Sequence, residues 1–217
     1  SGTRYVTCAD GHGYTCNLVI ITGGSKNKKL GVPGEAELAG KGVFECALCD
    51  GSQFAGKVVA VCGGGDAGVT EALYMARIAA KVIIIEAMQE LTATAILQER
   101  LLAEPNVVIM TNTRVTAISG AERVEVVEIE SAGGKDMLVV DGVLVHIGLE
   151  PNTDYLEGVL ELDEHRQIIV NERMETTASG VLAAGDIRSN SPRQVVTATG
   201  DGAIAGITAV KLLMESS

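Results

Sequence analysis

The chain has 217 residues, a formal net charge of −11, 47% hydrophobic residues, 21% charged residues and only 3% aromatic residues. Those values suit an ordinary globular protein of one or two domains, and they argue against nucleic-acid binding, which needs clustered Lys and Arg or aromatic platforms. No apolar run approaches the roughly 20 residues of a spanning helix, and no charged-then-apolar leader opens the sequence, so the expectation is a cytoplasmic protein with no membrane segment.

In chain order, "RYVTCADGHGYTCNLVIITGG" reads as two strands around a Gly-rich turn, and the continuous apolar run "NLVIIT" predicts a buried strand. The cluster Lys26, Lys28 and Lys29 reads as a solvated loop, and "KLGVPGE" as a turn-rich connector. "CALCDG" places Cys46 and Cys49 two residues apart, with Asp50 directly after. The next stretch is the most legible. A strand, Val58–Cys62, enters "GGGDAG"; a helix follows with apolar Val69, Leu73, Met75, Ala76 and Ala79; a second buried strand, Val82–Ile85, ends at Glu86. That is a βαβ unit. "TATAILQERLLA" opens on good cap residues and predicts a helix. "NVVIM", "RVTAIS", "VEVVEIES" and "MLVVDGVLVHIG" predict strands, several with two-residue alternation. After "LEPNTDYL" come "GVLAAGDI" and a small-residue helix from about Val195 to the end. Alternating strands and helices make the fold class α/β.

Gly63-x-Gly65-x-x-Gly68 alone is weak, but here it leaves a strand, opens a helix and has an acid at the end of the next strand. The first Gly permits a tight turn, the second lets a pyrophosphate approach the backbone, and the third lets helix and strand pack closely. Gly63, Gly65, Asp66, Ala67 and Gly68 are therefore the candidate dinucleotide cradle. Glu86 stands where such a motif's acid accepts bonds from a ribose 2′-OH; a solvated strand end is the plainer reading.

Three readings apply to Cys46 and Cys49. A structural zinc needs four ligands, and neither Cys8 and Cys16 nor the scattered His12, His146 and His165 complete a recognised spacing. Two unrelated thiols are the second reading. The third is a redox dithiol, in which short spacing keeps the resolving thiol at hand. A helix beginning at the motif would lower the thiolate pKa of Cys46, and a buried Asp50 could exchange protons with a thiol. Cys62 reads as a small core residue. No metal site is expected.

On these residues, and on "ITGGSKNKKLGVPGE", "GVFECALCDG", "VVAVCGGGDAGVTEALY", "VHIGLEPNT", "TTASGVLAAGDI" and "RQVVTATGDGAIAG", the chain resembles the low-molecular-weight thioredoxin reductase family along its whole length. The resemblance implies a homodimeric flavoprotein with two Rossmann-like dinucleotide-binding domains, the nucleotide domain (28–147) inserted into an FAD domain (1–27 and 148–217). It implies that Cys49 faces the flavin, that Cys46 attacks the disulfide of a thioredoxin-like protein, and that Asp50 donates the proton. It assigns Thr22, Gly23, Gly185, Asp186, Arg193, Gln194 and Val195 to FAD.

Two departures carry expectations. The family opens with a strand and a GxGxxG that cradle the FAD pyrophosphate; this sequence starts beyond that point and reads as a fragment, with an incomplete FAD domain that should purify nearly colourless. Family members using NADPH carry a basic cluster after the second nucleotide strand, where this chain has the acidic "EAMQELT". That implies NADH rather than NADPH, or a reduced iron–sulfur protein such as ferredoxin, as donor. The alternatives are the reductase component of a peroxidase system and a non-catalytic dinucleotide-binding module.

Overall fold

A computed structural model of the chain describes residues 3–215. The chain divides into two compact units, one formed by the residues up to Lys26 together with those from Leu149 onward, the other by Asn27–Gly148. The first unit opens with an antiparallel hairpin, β1 (Arg4–Thr7) and β2 (Gly13–Cys16), with Tyr5 opposite Thr15. β3 (Val19–Ile21) and β4 (Ser25–Asn27) follow and lead into the second unit.

The second unit runs β5 (Val43–Phe44), α1 (Ala47–Asp50), a 3-10 turn at Gly51–Phe54, β6 (Val58–Cys62), α2 (Asp66–Ala76), β7 (Lys81–Ile85), α3 (Ala95–Leu102), β8 (Val107–Met110), β9 (Arg114–Ser119), β10 (Val126–Ser131), β11 (Gly134–Val139) and β12 (Gly142–Val145). Strands β5, β12, β6, β7 and β8 form, in that order, a fully parallel five-stranded sheet. Side chains alternate across it, as the strand period of two requires. Val59, Val61, Val82, Ile84 and Leu144 meet α2 and α3 through Val69, Ala72, Met75 and Leu101. Ala60, Cys62, Ile83, Ile85, Val143 and Val145 meet Ile118, Val127 and Ile129 of the antiparallel meander β9–β10–β11. Both faces are covered, which is why β6 and β7 read as unbroken apolar runs. Phe44 and Phe54 stack with ring centroids 4.6 Å apart and brace the segment between them, which holds both cysteines.

The first unit resumes with β13 (Leu149–Pro151), β14 (Val181–Ala183) and α4 (Val195–Glu215). β14 runs parallel to β3, with Ala183 beside Ile21. Leu182 and Ala184 pack towards Ala205 of α4, whereas Ile21 and Ala183 pack on Leu156, Ile168 and Ile187.

The α/β class is as expected, with a Rossmann-type parallel sheet at its centre. Three expectations change. β3 is only half buried: Ile21 is covered but Ile20 is 38% exposed, because β3 pairs with β14 alone among the described strands. α3 forms, yet Thr94 makes no side-chain cap; its N–H donates instead to Asp66 Oδ1 at 2.6 Å. And α4, with 21 residues and a mean hydropathy of 1.2, is long and apolar enough by length and composition to cross a membrane, against the expectation of no such segment. In this fold α4 is a covering helix that buries Asp201, Ala205, Thr208 and Ala209.

Candidate functional site

The second unit holds two chemical features on one framework. The first is the cysteine pair. Cys46 and Cys49 are joined as a disulfide with Cα atoms 5.3 Å apart. Cys46 is the N-cap of α1, and its Sγ accepts the Cys49 N–H at 3.1 Å. Cys49 is exposed and Cys46 half buried. Asp50 is half buried at the end of α1, with the Gln53 amide donating to its Oδ1 at 3.5 Å.

The loop carrying the pair is tied down on both sides. Glu71 of α2 accepts the N–H of Ala47, which is fully buried. Glu45, directly before Cys46, accepts from Lys29 Nζ and from Asn27 Nδ2, the latter at 2.7 Å. The Lys29 and Asn27 bonds hold the Glu45 carboxyl below the usual carboxylate range, against partial desolvation that raises it. Cys62 is a core residue of β6, and burial pushes its thiol up to about 12, far from a reactive thiolate. Cys8 and Cys16 belong to the hairpin of the first unit.

The second feature is the turn between β6 and α2. Gly63 has φ +116, and a Cβ there would come 2.2 Å from His146 O. A Cβ on Gly68 would come 2.2 Å from Gly63 O, so the third glycine packs on the first. Gly65 is the N-cap of α2, and nothing nearer than Thr92 Oγ1 at 3.5 Å faces its missing Cβ. Asp66 and Ala67 are exposed in the first turn of the helix. A cleft of about 610 Å³ opens here, lined among others by Gly63–Gly68, Glu86, Met88, Thr92 and Arg114. An open approach at Gly65 over the N-terminus of an eleven-residue helix is the geometry that receives a pyrophosphate.

Glu86 lines this cleft but is not a solvated strand end. It is buried, its Oε2 accepts Gly64 N–H at 2.5 Å, and its Oε1 accepts Met88 N–H at 2.8 Å. Sequence reasoning missed Gly64 as this carboxylate's donor; a Cβ there would meet Leu91 Cδ2 at 2.5 Å and Glu86 Oε2 at 2.9 Å. It also missed Glu71, which looks like an ordinary helix-surface acid.

In the first unit, Thr22 and Gly23 follow β3 while Gly185 and Asp186 follow β14. β3 and β14 are parallel and the Ala184 N–H donates to Ile21 O at 3.0 Å, so both pairs emerge at one carboxyl edge. That edge is where open α/β sheets bind ligands. Gly185 takes φ +83, and a Cβ on Gly23 would come 3.1 Å from Ile187 Cδ1. Asp186 Oδ1 accepts from Ser191 Oγ at 3.2 Å. Arg193, Gln194 and Val195 are exposed at the start of α4.

Comparison with known proteins adds the following. A family model described as pyridine nucleotide-disulphide oxidoreductase matches residues 1–202. The thioredoxin reductase of Listeria innocua is 40% identical over 205 residues, covering 93% of this chain and 64% of that protein. A component of the alkyl hydroperoxide reductase of Pseudomonas putida is 39% identical over 219 residues, covering 100% of this chain and 42% of that protein. The crystal structure of Lactococcus lactis thioredoxin reductase, in its FR conformation, matches with a TM-score of 0.88 at 31% identity, covering 98% of this chain and 71% of that one. The chain thus spans less than two thirds of the length of these two curated relatives.

Proposed function

The chain belongs to the pyridine nucleotide-disulphide oxidoreductase family, and from that premise we propose that it passes electrons from a donor, through FAD, to the Cys46–Cys49 disulfide and on to a thioredoxin-like protein. The observation that carries this reading is a bonded Cys-x-x-Cys pair in the same unit as a complete Gly-rich cradle. Residues 1–27 and 148–217 form the FAD domain in this reading, and residues 28–147 the nucleotide and disulfide domain. The carboxyl edge formed by Thr22, Gly23, Gly185 and Asp186, with Arg193, Gln194 and Val195 nearby, suits FAD. Bound there, FAD supplies two-electron transfer between donor and disulfide.

The chain's own residues do the rest. With the pair reduced to thiols, the Cys46 thiolate attacks one sulfur of the substrate disulfide. A mixed disulfide forms, and the other substrate sulfur leaves as a thiolate. Cys49 then attacks Cys46 Sγ, closing the Cys46–Cys49 bond again and releasing the substrate as a dithiol. Asp50, next to Cys49, delivers a proton to a leaving thiolate. The acidic stretch from Glu86 favours NADH over NADPH as donor, and a reduced iron–sulfur protein such as ferredoxin is the other donor it admits. The same reading carries a homodimer working in the cytoplasm. Similarity to the alkyl hydroperoxide reductase component supports a second reading, a reductase that feeds a peroxidase.

Parallel rapid-mixing experiments test this. The full-length protein, with its FAD bound, is mixed anaerobically with NADH, NADPH or reduced ferredoxin, and flavin bleaching is followed with thioredoxin-like or peroxidase disulfides as acceptors. Cys46→Ser and Cys49→Ser should abolish disulfide reduction while flavin reduction survives. A fully active Cys46→Ser enzyme would sink the proposal, and a reduced protein whose two thiols do not reoxidise together would favour a non-catalytic module.

A further inference from the structure

The cleft at the Gly63–Gly68 turn carries one exposed cation with no role in the mechanism above. Among the described residues lining the cleft, Arg114 is the single lysine or arginine. Two backbone bonds fix its place: Asn112 N–H donates to Met88 O at 2.8 Å, and Thr113 N–H donates to Glu86 O at 3.0 Å. Residues 112–114 therefore run beside residues 86–88, the strand end at which Rossmann-type units sort nucleotides by their ribose. Thr113 is buried, whereas Arg114 is exposed. Arg114 has no ion-pair partner among the described residues, although the chain holds 28 acids against 17 bases. Its cross-strand neighbour on β10 is Glu130, with which it forms no ion pair, and Glu86 has both oxygens engaged by backbone N–H groups.

We propose that Arg114 is a specificity-determining residue of this cleft, whose guanidinium meets the 2′-phosphate of an NADP-type nucleotide. The proposal rests on Gly63–Gly68 being the pyrophosphate cradle. With the pyrophosphate on the N-terminus of α2, the adenosine ribose falls at the end of β7, between Glu86 and the rim that carries Arg114. Ala87 and Met88, which follow Glu86, bring no charge. Two opposite charges then flank the 2′ position. Glu86 is buried and fixed, and it disfavours a phosphate; Arg114 is exposed at the rim, and its planar fork of donors suits one. The chain should prefer NAD-type nucleotides without excluding NADP-type ones, and Arg114 should set how far it tolerates them.

The test is calorimetric binding of NAD⁺ and NADP⁺ to the full chain, as wild type, Arg114→Gln and Arg114→Lys, with melting temperatures recorded alongside. Arg114→Gln should weaken NADP⁺ about fivefold, the size of one exposed charge contact, and leave NAD⁺ within about twofold. Arg114→Lys should recover part of the loss, and added salt should shrink the difference between wild type and Arg114→Gln. The pair 2′,5′-ADP and AMP should split in the same way. Equal weakening of both nucleotides, or no change in either, would overturn the proposal while leaving the cradle in place. A wild-type chain that binds neither nucleotide would remove the cradle reading, and this proposal with it.

Discussion

Arg188 and Asp201 form a bidentate ion pair, Nε to Oδ2 and Nη2 to Oδ1, both at 2.8 Å. The Gly185 N–H donates to the same Oδ2 at 3.1 Å, so the carboxylate on α4 clamps the loop after β14. Asp201 is buried, and the Arg188 bonds hold its carboxyl below the usual carboxylate range against desolvation, with the Gly185 bond assisting. Asp201→Ala leaves a half-buried guanidinium with only its Nη1 bond to Ser189 O and should cost about 1–3 kcal/mol. Because the folded-state pKa is depressed, the stabilisation is complete above the unfolded value of about 4 and disappears as pH falls through the folded value. Urea unfolding from pH 7 down to 3 should show this acid-side loss in the wild type and its absence in Asp201→Asn. Parallel pH profiles for the two proteins would contradict the assignment.

Glu71 links α2 to the turn that holds the cysteines. Its Oε2 is the acceptor for Ala47 N–H, which no water reaches because Ala47 is fully buried. Glu71→Ala leaves that donor unsatisfied, at about 1–3 kcal/mol. Glu71→Gln keeps a carbonyl acceptor and should lose less than half as much. Hydrogen exchange resolved at Ala47 reads the effect directly. An Ala47 amide that exchanges in Glu71→Ala as slowly as in the wild type would show that the bond does not hold the turn.

What the sequence made legible and what it hid divide along a physical line. β6, the glycine turn, α2 and β7 were readable because burial on both sheet faces and the turn's steric needs are written in adjacent residues. The cysteine pair was visible from its spacing, which left zinc, unrelated thiols and a redox dithiol open; the structure joins the two as a disulfide. Glu71 was not readable, because its acceptor role depends on Ala47, a residue 24 positions away. Arg114 was not, because only the pairing of residues 112–114 with 86–88 brings it to the cleft. α4 was legible as a helix from about Val195, but Asp201 interrupts its apolar residues, so a search for an unbroken apolar run passed over a helix that is long and apolar enough on average.

Glu86 was expected to face a ribose; in the structure its carboxylate accepts from two backbone N–H groups. Glu86→Ala removes the acceptor for both Gly64 N–H and Met88 N–H and should destabilise the unit by about 1–3 kcal/mol. Glu86→Gln keeps one acceptor oxygen and should be milder. A single repulsion near 4 Å is worth about 1 kcal/mol in a water-like dielectric, or roughly fivefold in affinity. The wild type should therefore bind NAD⁺ at least about fivefold more tightly than NADP⁺, and Glu86→Gln should narrow that gap. Tighter binding of NADP⁺ by the wild type would show that Glu86 does not discriminate.

The glycines of the turn separate folding from binding. A Cβ on Gly68 would lie 2.2 Å from Gly63 O, a backbone atom that cannot swing aside. Gly68→Ala should force α2 away from β6 and cost about 1–3 kcal/mol, as overpacking does. Gly65 is different. Its backbone angles, φ −82 and ψ 176, are open to any residue, and the nearest atom to its missing Cβ is at 3.5 Å. Alanine there loses some N-cap preference but lowers the conformational entropy of the unfolded chain, two effects each within about 1 kcal/mol and of opposite sign. Gly65→Ala should therefore melt close to the wild type. Yet its methyl group stands where the pyrophosphate must approach the amides at the start of α2, so nucleotide binding should fall by about tenfold or more, the equivalent of 1.4 kcal/mol. Melting curves and nucleotide titrations of the two variants, side by side, decide the matter. A Gly65→Ala protein that folds and still binds nucleotide as the wild type does would mean that the turn is a structural corner rather than a phosphate cradle.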